Sequence, residues 1–218
     1  MKVHPPKSVD SWREFLVEIA IIVIGVALAL AAEEVVSNYH TDKEVAVVQE
    51  SLNDELADSL FASLERIRHA PCEERALARL DAVAHQSGSG VIGELPTPPV
   101  RLWGSAAWDA AVASGIVEEM PHDERHAYSV LFNLVRTMKE WNGRERELWA
   151  VVRAYGRTAP ATPDARHRLA EAVSQLRSLT GTMTEASRQF VGTARHLNLQ
   201  LTTADLAELR EPVSCAVA

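Results

Sequence analysis

The run from Phe15 to Ala32 constrains this chain more than any other feature. It is apolar throughout except at Glu18. A helix needs about 20 apolar residues to cross the hydrocarbon core of a bilayer, and Val35 and Val36 extend the run far enough. Trp12 and Phe15 suit an interfacial position at one end. Upstream, Pro5 and Pro6 precede Ser11-Trp12-Arg13-Glu14, a capping-box pattern that marks a helix start. The expected element is a transmembrane helix over residues 14–36, preceded by a short cytoplasmic segment over residues 1–13.

A secretory signal peptide shares the basic, apolar, small-residue order, and Ala29-Leu30-Ala31 resembles its cleavage site. Against cleavage, residues compatible with a helix continue past Ala32 with no Gly or Pro until Pro71. An uncleaved signal anchor is therefore expected, ahead of the core helix of a soluble protein. Flanking charge sets the orientation. Lys2, Lys7 and Arg13 precede the run, whereas Lys43 follows it among Glu33, Glu34, Asp42 and Glu44. The positive-inside rule then leaves the N-terminus in the cytoplasm and the rest of the chain outside.

Glu18 is the costly residue in such a helix. It either reaches the headgroups from one turn inside or faces a partner helix. Glu18, Ile22, Gly25 and Ala29 share one stripe, and Gly25 with Ala29 forms a small-x-x-x-small pattern that lets helices approach closely. Glu18, Gly25 and Ala29 are thus the candidate membrane-helix interface, toward a second copy or a partner membrane protein.

Beyond the anchor the period stays helical. Val45, Val48, Leu52, Leu56, Leu60, Leu64 and Ile67 recur every three or four residues, which extends the anchor helix to about Ile67. Thr41 with Glu44 offers an alternative restart as a capping box. Pro71, followed by Glu73 and Glu74, is expected to open a second helix to about His85. The stretch Ser87 to Gly90 ends it as a flexible linker, and a loop with Pro96, Pro98 and Pro99 follows. Ser105 is expected to cap a short helix carrying Trp108, Ala111 and Val112, closed by Gly115.

After Pro121 a long stripe runs through Tyr128, Leu131, Val135, Met138, Trp141, Leu148, Val152 and Tyr155, ended by Gly156 and Pro160. Thr162-Pro163-Asp164 opens another, through Leu169, Val173, Leu176, Leu179, Met183, Ala186, Phe190, Ala194 and Leu197. A short helix near Ala204 to Leu209 precedes a tail. No segment alternates with period two, so the fold class is all-α. The anchor should be continuous with a long helix of an extracytoplasmic antiparallel helical bundle over residues 37–210, with a tail over 211–218.

Few chemical motifs are present. The chain holds 22 Lys and Arg against 30 Asp and Glu, a net charge of −8, with no basic cluster for nucleic acid. Arg144, Arg146 and Arg153 interleave with Glu145 and Glu147 and read as a mixed solvated face. Phosphate-loop and nucleophile-elbow patterns are missing. His122 and His126 stand four apart on one helix face and are weak candidates for a metal. Asp123 occupies the place where a zincin needs Glu, and no cofactor is expected. Trp103, Trp108, Trp141 and Trp149 fit a core better than a ligand pocket. Cys72 and Cys215 are the sole cysteines in the sequence, and in an oxidising compartment they are candidates for a disulfide.

Three stretches carry a resemblance: Trp12 to Leu16, Ile21 to Val26, and Leu28 to Glu34. They are similar to the anchors of uncharacterised bacterial single-pass membrane proteins. Pro71-Cys72, Trp108-x-x-Ala111 and Ser114-Gly115 also match that group. The resemblance implies a single-pass topology at a bacterial inner membrane, with the C-terminal domain periplasmic, and brings no activity. The expectation is a non-enzymatic module that binds a protein partner or itself. A small-ligand sensor bundle signalling through a partner is the second reading, and a metal-dependent enzyme at His122 and His126 the third.

Overall fold

The computed structural model describes residues 12–85, 102–155, 162–197, 199–213 and 215, apart from the Glu14 side chain. The elements are α1 (Trp12–His85), α2 (Ala106–Ser114), a 3-10 turn (Ile116–Glu119), α3 (His122–Ala154), α4 (Pro163–Ala194) and α5 (Thr203–Glu208). Among the described residues there is no strand. Several expectations lie outside them: the Ser11–Glu14 cap, Lys2 and Lys7, the linker at residues 87–90, the proline loop, Gly156 and Pro160.

The chain divides into two units, at Val47 and Val48. The first is the N-terminal part of α1. Its apolar window is long enough to cross a membrane, and none of it is buried within the chain. Ile21, Ile22, Val23, Ile24 and Leu28 are all exposed. An apolar surface of this length is favourable only against lipid or another apolar helix. Farther along, the Lys43 ammonium sits 4.6 Å from the centre of the Tyr39 ring.

In the second unit the C-terminal part of α1 packs with α3 and α4. Tyr128 of α3 donates to Asn53, and Glu145 of α3 pairs with Arg66. Sequence number rises along both helices together, so they run parallel. α4 runs opposite to α3: its end near His196 lies beside Asp123, and Gln175 lies beside Arg144. One apolar layer joins Leu77, Leu80, Trp149, Val152, Leu169, Val173 and Leu176. Toward the other end, Leu52, Leu56, Leu131, Phe132 and Phe190 are fully buried.

A parallel α1 and α3 require a connection that returns along the bundle, and α2 lies within it. Trp108 stacks on Phe132, ring centres 5.3 Å apart and 13° from parallel. Ser105 does not cap α2 through its side chain, which donates to Asp109 instead. The cap comes from α1: the Glu55 carboxylate accepts from Ala106 N at 2.9 Å and Ala107 N at 3.0 Å. An acidic group at a helix N-terminus satisfies amides that have no partner within the helix. Gly115, at φ +80°, closes α2 in the left-handed region that glycine adopts freely.

Pro71 does not open a new helix. α1 passes through it without a break to His85. The proline removes one amide donor, but Leu77 and Leu80 lock the helix into the core beyond it. The Pro71 carbonyl also accepts from Arg75 Nε at 3.2 Å.

Candidate functional site: a charged layer inside the bundle

The expected stripe on α1 is rotated by one residue over its central turns. Leu60, Leu64 and Ile67 are half-buried, whereas Ser59, Ser63 and Arg66 are buried. The same happens on α3. Glu145 is not part of a solvated face: it is buried with Asn142, while Arg144, Arg146 and Glu147 stay exposed. α4 contributes buried Thr180, Thr184 and Ser187. A polar layer therefore lies between the two apolar layers.

Its centre is an ion pair. Arg66 donates both terminal nitrogens to Glu145, Nη1 to Oε1 at 3.0 Å and Nη2 to Oε2 at 2.6 Å. The side chains are 5% and 2% exposed, so water screens the pair little. Thr180 Oγ1 adds a hydrogen bond to Glu145 Oε1 at 3.4 Å. Burial alone would lower the Arg66 pKa, but the adjoining carboxylates, Glu145 first, hold it above its ordinary value.

Glu73 completes the layer two turns along α1. It is 3% exposed, and its Oε2 has no hydrogen-bond partner. Burial pushes its carboxyl up to about 7, opposed by Arg66 and reinforced by Glu145. The desolvated carboxylate is disfavoured because Arg66 is already engaged in a two-point contact with Glu145. The layer can hold or release one proton near neutrality. Ser63 and Ser187 hydroxyls are also buried there without partners. At the far end of α3, burial first and Glu124 second push Tyr128 up to about 12, against its bond to Asn53.

The residues singled out in the sequence lie elsewhere. Glu18, Gly25 and Ala29 sit exposed on the apolar N-terminal part of α1. A Cβ placed on Gly25 would meet no atom within 4 Å among the described residues, so close approach of another helix is open there. His122 is 81% exposed and 3.5 Å from Asp123. His126 lies in a separate surface pocket of about 450 Å³ with Asp123, Glu124, Thr193 and His196. Among the described residues, no group of three or more His, Cys, Asp or Glu is placed to hold a metal ion. A second groove, of about 440 Å³, runs between α3 and α4 beside Trp141 and Arg144. Trp103, Trp108 and Trp149 are buried. Cys72 and Cys215 are joined as a disulfide with their Cα atoms 5.1 Å apart, a separation that suits such a bond.

Comparison with protein-family models, curated proteins and solved structures returned no match.

On α3 the sequence signal was an interruption: Glu145 stands where an apolar residue would continue the stripe between Trp141 and Leu148. On α1 there was none, because Leu60, Leu64 and Ile67 form an unbroken apolar stripe beside Arg66. Single charges at such positions are more often solvated, and one helix viewed alone gives no sign that the other supplies the partner.

Proposed function

We propose that this is a single-pass membrane protein whose helical domain lies outside the cytoplasm and acts by binding rather than by catalysis. The observation that carries the reading is the exposed apolar part of α1, which has no partner surface within its own unit. The charge bias around the anchor supports an N-terminus inside. The Cys72–Cys215 pairing is in keeping with an oxidising compartment. The exposed stripe of Glu18, Gly25 and Ala29 supports association within the bilayer, with a second copy or a partner membrane helix.

Crosslinking in native membranes tests the association. Wild type is expected to give a discrete crosslinked species, and Gly25→Leu and Glu18→Gln are expected to weaken it. Unchanged crosslinking in both variants would make α1 a simple tether. The second reading, a small-ligand sensor, draws on the pocket at Asp123, His126 and His196. It requires saturable binding of a small polar ligand that His126→Ala weakens.

A further inference from the structure

The C-terminal segment lies on α1 without sinking into the core. α5 contributes no buried residue, and none of the described residues from 199 to 215 is buried. Instead it is fastened at its edge. Arg68 donates Nη1 to the Glu208 carbonyl at 3.1 Å and Nη2 to the Glu211 carbonyl. One turn on, the disulfide joins Cys72 to Cys215 and closes a separation of 143 residues. Arg75 Nη2 is directed at both sulfurs, 3.7 Å from Cys72 Sγ and closer to Cys215 Sγ. Arg68, Cys72 and Arg75 recur at helical spacing, so these three contacts lie on one face of α1.

We propose that the Cys72–Cys215 bond is a thiol–disulfide exchange site, a latch that holds the C-terminal segment on α1 until a dithiol reductant opens it. Cys215 is the more exposed of the two residues and Cys72 the more buried. A thiolate of the reductant attacks Cys215 Sγ. The S–S bond breaks and its electron pair leaves on Cys72 Sγ. The Arg75 guanidinium holds that thiolate, and a cation beside a leaving thiolate lowers its pKa and speeds its departure. The reductant's second thiolate then attacks the mixed disulfide. It closes the reductant's own disulfide and releases Cys215, so two electrons pass to this chain. With the covalent link gone, the Arg68 bonds to the Glu208 and Glu211 carbonyls remain, and exposed bonds of that kind stabilise weakly.

The test uses the full chain in detergent micelles, with dithiothreitol as the reductant at pH 7 and alkylation to trap the thiols. Arg75→Met is expected to slow reduction on the order of tenfold, and Arg75→Lys to keep it within about twofold of wild type. Equal rates in wild type and Arg75→Met would overturn the role of Arg75 and with it the exchange site. Tryptic cleavage after Arg210 reads the latch itself. It is expected to run at least about tenfold faster in reduced protein and in Cys215→Ser than in oxidised wild type. Equal cleavage in the oxidised and reduced forms would overturn the latch. Both readouts are independent of the side of the membrane on which the domain lies.

Discussion

Glu73 gives the molecule a pH dependence of definite sign. Its carboxyl is raised from an ordinary 4.5 to about 7 in the folded protein. The folded state therefore holds the proton more tightly than the unfolded state, and stability falls as pH rises between those values. Above about pH 7 the full penalty applies, about 3 kcal/mol from the size of the shift. Glu73→Gln is expected to remove this slope. In urea titrations it should match wild type at pH 5 and exceed it by about 2–3 kcal/mol at pH 8. Identical slopes in the two proteins would show that Glu73 is ionised in the fold at no cost. Arg66 and Glu145 behave differently because they are paired. Arg66→Met alone strands a buried carboxylate and should lower stability by about 3–5 kcal/mol. Adding Glu145→Leu should recover most of that loss, measured by the same titrations.

Among the elements, α2 depends most on a neighbour. Its N-terminal amides are satisfied by Glu55 from another helix, so Glu55→Ala should loosen α2 before it loosens the bundle. The expected loss is about 1 kcal/mol, with hydrogen exchange accelerated at the Ala106 and Ala107 amides. Unchanged exchange there would mean that the cap is not formed in solution. Gly104→Ala should act similarly, since its Cβ would stand 2.6 Å from Glu55 Oε1 and force the carboxylate off the amides. Helix starts and ends were readable where the signal is local. Thr162 caps α4 by accepting from Ala165 N, at the start expected from Thr162-Pro163-Asp164. Ser105 and Pro71 misled for the opposite reason. Both are local signals overruled by tertiary contact, Ser105 by a carboxylate 50 positions away in sequence and Pro71 by the core beyond it.

At the scale of the whole molecule, the apolar run was legible because it needs no tertiary partner to be recognised. The all-helical fold was legible because long stripes at three- and four-residue spacing persist through α3 and α4. The charged layer was not, because buried and solvated charges look alike along one chain. Nor could spacing alone bring Cys72 to Cys215, which needs the return path of α5. The topology proposed above is the central claim: α1 crosses the membrane once, with the N-terminus in the cytoplasm and the helical domain outside it. Paired C-terminal fusions in a bacterial host test it most directly. The claim predicts an active periplasm-dependent phosphatase and a dark cytoplasm-dependent fluorescent protein. An inactive phosphatase with a bright fluorescent fusion would place the domain inside and contradict it.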